Sequence, residues 1–186
     1  MAGWTVRQVV DRIVALGLAD CAAVDKALQP QWLDQPLAGY GGGDSEAEIV
    51  TGLLVDVGIA FDVHTDDVDH LDGYTSALTQ AAACTGGLFT VTDIELTDDG
   101  EQETLRFKRN GEPVAWPVDH VDDEYLDTMV FAERIDEFTD PDRSPSRWAV
   151  PTVDGERIYY RYVFGDPAAL HELGRELGIV FDVYPD

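Results

Sequence analysis

Apolar residues recur at helical spacing from the start of the chain. Val6, Val9, Val10, Ile13, Val14 and Leu16 fall on one side of a predicted helix over 5–17, with Thr5 as its cap and Gly17 closing it. Asp20 is placed to cap a second helix reaching about Leu28, after which Pro30 and Pro36 predict a stop to regular structure. Gly39-Tyr40-Gly41-Gly42-Gly43 reads as a loop, because it lacks the Gly-Lys-Ser/Thr ending of a phosphate-binding loop and follows no predicted strand. Ser45 and Glu48 have capping-box spacing ahead of Ile49, Val50, Leu53, Leu54 and Val57, a helix that Gly58 ends.

One local pattern occurs twice. Gly58-Ile59-Ala60-Phe61-Asp62-Val63-His64-Thr65-Asp66 matches Gly178-Ile179-Val180-Phe181-Asp182-Val183-Tyr184-Pro185-Asp186, and each copy follows a helical segment. The pair predicts a helix closed by glycine and then a short strand, with the two strands equivalent in one sheet. Residues 70–84 predict a further helix, which Gly86-Gly87 terminates.

Beyond residue 88 the period changes from helical to alternating. Phe89 to Leu96, Thr104 to Lys108 and Val114 to Val118 predict a meander joined by Asp98-Asp99-Gly100 and Asn110-Gly111, with Pro117 marking an edge. Asp122 or Asp123 is placed to open a helix carrying Tyr125, Leu126, Met129, Val130 and Ile135, with Phe138 at its end. Trp148–Val153 and Ile158–Phe164 predict a hairpin across Asp154-Gly155, and Asp166-Pro167 predicts the start of a last helix. The expected fold is a single α+β domain over 1–186, helix-rich in 1–87 and strand-rich in 88–186. Its antiparallel or mixed sheet of five to seven strands would be covered mainly on one face by helices.

Charge changes this picture most. In 186 residues, 37 acidic side chains stand against 12 basic ones, a net charge of −25, while 45% hydrophobic content suffices for a packed core and excludes intrinsic disorder. Such a surface repels nucleic acid and anionic membranes and attracts basic partners at long range. Adaptation to high salt, or a GC-rich genome, is a competing account: Asp outnumbers Glu about two to one, and Lys26 and Lys108 are the only lysines. The first residues lack the basic region and apolar run of a secretory signal, and Cys21 and Cys84 stand in helical segments, so a reducing cytoplasm is the expected location.

The densest polar cluster is Asp62, His64, Asp66, Asp67, Asp69, His70 and Asp72. Asp69-His70 matches the end of the HxHxDH pattern of metallo-β-lactamase-like hydrolases, but Thr65 and Asp67 occupy its first two histidine positions, and EF-hand spacing also fails. A solvated loop is the reading adopted, with a metal-dependent hydrolase using 62–72 as the alternative. Nucleophile-elbow and Cys-x-x-Cys motifs are absent, and His120 and His171 are isolated in sequence. The expectation is therefore no enzyme, no cofactor and no catalytic residue.

Binding chemistry is better represented. Asp93, Glu95, Asp98, Asp99, Glu101 and Glu103 form a row of carboxylates on strand and turn positions. Trp116, Trp148, Tyr160 and Tyr162 are candidate aromatic anchors, Tyr160 and Tyr162 sharing one face of a strand and Tyr159 the other. The second half of the chain also resembles the immunity proteins that bacteria make against secreted polymorphic toxins. The features that carry the resemblance are Phe107-Lys108-Arg109-Asn110-Gly111-Glu112, Trp116, Tyr125-Leu126-Asp127, Trp148, the tyrosine-rich strand and Asp166-Pro167-Ala168-Ala169-Leu170. The resemblance implies a protein that carries out no chemistry and occludes the active site of a basic toxin domain. No nucleic acid or membrane partner is expected, and oligomeric state is left open.

Overall fold

Thr5 closes a capping box at the start of the first helix: its hydroxyl accepts from Gln8 N–H and its own N–H donates to Gln8 Oε1. This geometry comes from a computed structural model that describes residues 3–42, 45–63, 69–120 and 125–184. In chain order the elements are α1 (Val6–Ala15), α2 (Cys21–Ala27), α3 (Pro30–Leu33), α4 (Glu46–Asp56), β1 (Ala60–Asp62), α5 (His70–Cys84), β2 (Val91–Asp98), β3 (Glu103–Arg109) and β4 (Glu112–Val118). After them come α6 (Met129–Arg134), β5 (Arg147–Val153), β6 (Glu156–Arg157), β7 (Arg161–Gly165), α7 (Pro167–Leu177) and β8 (Ile179–Val183). The fold is α+β, as the pattern predicts.

Two compact units are present, one from residues 1–60 with 145–186 and the other from 61–144. These units do not follow the helix-rich and strand-rich stretches that meet near residue 87. The strands likewise divide between a five-stranded sheet and the three-stranded β2-β3-β4 sheet, where one sheet was expected. The meander completes its own pairing, and its outer strands resist extension: β4 carries Pro113 and Pro117, and β2 shifts register at Asp93, whose φ is +54°.

In the first unit β5 is central, pairing antiparallel with β6, β7 and β8, and β1 adjoins β7. The repeated glycine-strand segments thus occupy one sheet as expected. Gly58 and Gly178 both take positive φ (+77° and +75°), the left-handed turn that ends α4 and α7 before a strand begins. The core joins Val6, Val9, Val10 and Ile13 of α1 to Val50, Leu53 and Leu54 of α4, Ala149 and Val163 of the sheet, and Leu170 and Leu173 of α7. Pro30 starts a helical turn where a stop was expected, because proline at the first helical position gives up only an N–H that has no partner there.

The second unit packs α5 and α6 with the meander around a dense aromatic core. The Trp116 ring lies edge-on to Phe107, Phe131 and Phe138 at 5.0, 5.8 and 6.1 Å. Asn110-Gly111 forms the β3–β4 turn, with both residues at positive φ. The helix expected from Asp122 or Asp123 begins only at Met129 and gives way to a 3₁₀ turn over Ile135–Phe138; residues 122 and 123 lie outside the described residues.

Candidate binding cleft

In the second unit the β2–β3 turn is built by its own carboxylates. Asp98 accepts Gly100 N–H at 2.7 Å, and Asp99 accepts Gln102 and Glu101 N–H at 3.0 and 3.1 Å. Those backbone donors hold the Asp99 carboxyl below the usual carboxylate range. Gln102 Nε2 reaches across to the Val118 carbonyl (2.7 Å) and ties the turn to the end of β4. The chain leaving β4 is held by Asp127, which accepts Asp119 N–H and, through its other oxygen, Met129 N–H at the start of α6.

These constraints leave an open cleft of about 660 Å³. Six carboxylates line it: Asp98, Glu101, Glu103, Asp119, Asp127 and Glu133. His120 contributes to the lining and Met129, 61% exposed, supplies an apolar side chain; none of the described lining residues is Lys or Arg.

His120 is nearly buried at the inner side of this cleft and has partners at both ring nitrogens. Nε2 lies 2.8 Å from Tyr74 Oη, Nδ1 bonds the Glu103 carboxylate, and the ring stacks on His70 at 4.0 Å. Tyr74 Oη also accepts Asp127 N–H at 3.1 Å, and burial pushes its hydroxyl pKa well above the usual range, so the phenol stays protonated. In the tautomer with its proton on Nδ1, His120 accepts the Tyr74 hydroxyl proton at Nε2 and donates to Glu103. The result is a chain of hydrogen bonds, Asp127 to Tyr74 to His120 to Glu103, that fixes one carboxylate of the cleft. His120 is isolated in sequence but not in space.

The predicted carboxylate row is split. Asp98, Glu101 and Glu103 line the cleft and Asp99 shapes its turn, whereas Asp93 pairs with Lys108 at 2.8 Å and Glu95 lies opposite Arg106 in the β2–β3 register. Asp119, Asp127 and Glu133 were not singled out from sequence. Their positions depend on the fold of the segment between β4 and α6, which no local motif specifies.

Three of the predicted aromatic anchors are corrected. Trp116, Trp148 and Tyr162 are buried, Trp116 because it shares the inward face of β4 with Val118 opposite Leu105 of β3. Trp148 packs on Phe164, its partner across β5 and β7, at 5.0 Å. Tyr160 is 46% exposed, and Tyr159 is 71% exposed. The strand expected over Ile158–Phe164 is interrupted, so Tyr159 and Tyr160 lie in a turn and do not alternate between faces.

Of the 62–72 cluster, His64, Asp66 and Asp67 lie outside the described residues, and Asp69 caps α5 by accepting Asp72 N–H. Among the described residues no group of three or more potential ligands is placed to hold a metal ion. No described helix is long and apolar enough to cross a membrane. No protein-family model matches the chain, and comparison with curated proteins and with solved structures finds no match to either.

Proposed function

We propose that the protein is an acidic binding module whose cleft receives a cationic surface of a protein partner, in the manner of an immunity protein occluding a basic toxin domain. The observation that carries this reading is the composition of the cleft: six carboxylates and no lysine or arginine among the described lining residues. Charge of one sign in a concave site concentrates the field, raises the encounter rate with a cation and makes that rate fall with salt. Glu103, already oriented by His120, loses little freedom when it pairs with a partner's guanidinium or ammonium group. Met129 at the same site offers an apolar contact of the adaptable kind that partner surfaces use.

The test is calorimetric titration with any basic protein encoded beside this gene, at low and high salt, using the parent chain and an Asp98→Asn, Glu101→Gln, Glu133→Gln variant. Binding that weakens with salt, and by roughly tenfold or more in the variant, is expected. Equal binding by both chains would remove the cleft from the interface. A basic neighbour that neither binds nor is inhibited would remove the immunity assignment.

A further inference from the structure

An unpaired strand edge is a template for another strand, and folded proteins guard such edges with proline, bulges or charge. Both outer strands of the second unit's sheet carry guards, Pro113 and Pro117 on β4 and the bulge at Asp93 on β2. In the first unit β8 has neither proline nor bulge, and its one charged residue, Asp182, accepts from Thr152 of β5 at 3.0 Å. The strand reads Ile179-Val180-Phe181-Asp182-Val183, pairs with β5 in unbroken register, and has no strand on its other side among the described residues.

The phase of the ladder shows which main-chain groups that edge presents. Tyr184 N–H donates to the Trp148 carbonyl at 2.8 Å, so Asp182 and Val180, at alternate positions, also direct their main-chain groups toward β5. Phe181 and Val183 direct theirs outward. Pro151, opposite Phe181, agrees: its carbonyl turns away from β8 and accepts from Ile158 N–H at 2.9 Å.

β8 also carries exposed apolar surface. The large hydrophobic side chains of the first unit that are exposed are Val180, at 59%, with Tyr159 and Tyr160 of the β6–β7 turn. Arg157 ties the β6–β7 turn to the residue that follows β8. Its guanidinium lies 5.5 Å from the Tyr159 ring and 5.8 Å from the Tyr184 ring, and it donates to Tyr184 Oη at 3.2 Å. Asp182 lies 3.9 Å from Arg157, and Arg161 lies over the Tyr160 ring at 5.8 Å, so the local charges are mixed and the field at this edge is set by the whole chain. A second copy of the chain would bring another net charge of −25 to this edge, so charge favours a cationic occupant.

We propose that β8 takes an extended segment of a cationic protein by strand addition, its backbone bonding Phe181 and Val183 and its side chains meeting Val180. The proposal rests on the reading of the protein as a binder of cationic partners and assigns that partner class a contact other than the cleft.

The probe is a capped synthetic peptide of alternating valine and lysine, added to the full chain and followed by amide hydrogen exchange and NMR shifts. Exchange at Phe181 and Val183 is expected to slow by roughly tenfold or more at saturation. Val180→Lys is expected to lose this protection with its melting temperature unchanged. Three results would overturn the proposal: protection that persists when alternate peptide nitrogens are methylated, equal protection by a valine-threonine peptide, or concentration-dependent pairing of the chain with itself through β8. Peptide shifts confined to Glu101, Asp119 and Asp127 would also overturn it while leaving the cleft reading intact. Protection of β8 in a chain whose cleft variant binds its basic neighbour as the parent does would instead retain this contact and remove the cleft.

Discussion

His120 Nδ1 bonds the carboxylate of Glu103, seventeen positions earlier in the chain, and so joins the segment leaving β4 to the start of β3. His120→Ala would leave the buried Tyr74 hydroxyl without its imidazole partner and free the Glu103 carboxylate. A loss of about 1–3 kcal/mol in urea unfolding is expected, the cost of an unsatisfied buried polar group. A change within about 0.5 kcal/mol, as for an ordinary surface substitution, would show that this network contributes nothing to stability.

The aromatic residues divide into structural and exposed sets. Trp116→Ala empties the centre of the second unit's aromatic core and is expected to cost about 3–5 kcal/mol, with lost near-ultraviolet dichroism. Tyr159→Ala, at a 71% exposed turn position, is expected to stay within about 0.5 kcal/mol of the parent. Similar losses at both positions would contradict this division.

The two thiols differ in the same way. Cys21 is exposed, whereas burial pushes the Cys84 thiol up to about 12, which keeps it protonated and unreactive at neutral pH. Titration of the native protein with a disulfide reagent should modify Cys21 promptly and Cys84 only after denaturant is added. Two equally fast thiols would place Cys84 at the surface.

Acid should act with opposite signs in two pH ranges, and salt should act as acid does in the upper one. Asp34 bonded to Arg7, Asp99 capped by backbone N–H groups, and Glu172 bonded to Arg175 all have carboxyl pKa values lowered by folding. Lowered values give stability that is present above the ordinary carboxylate pKa and is lost as pH falls through the folded-state pKa. Above that window the dominant effect is mutual repulsion at a net charge of −25, which protonation or salt relieves. The melting temperature at low salt is expected to rise from pH 7 to about pH 5 and to fall below about pH 4. Sodium chloride should raise it more at the higher pH. A fall between pH 7 and pH 5, or indifference to salt, would contradict the repulsion account.

Features set by neighbouring residues were legible in the sequence: the caps at Thr5, Asp20, Ser45 and Asp166, the turns at Asn110-Gly111 and Asp154-Gly155, and the repeated glycine-strand segments. What failed depended on which face of an element meets what. Alternation places Trp116 on one side of β4 without saying which side is inward, and Leu105 across the ladder decides it. The cleft was half legible, since Asp98, Glu101 and Glu103 adjoin in sequence. His120 acquires its role from Tyr74, forty-six positions away.

The first unit draws its strands from both ends of the chain, with residues 61–144 inserted between them. During synthesis the inserted unit can complete its contacts first, while α1 and α4 wait for β5, α7 and β8. Truncation before Ile179 would remove one of the neighbours of β5 and uncover one edge of that central strand. Ribosome-stalled chains lacking β8 should accordingly be protease-sensitive in the first unit while the inserted one resists.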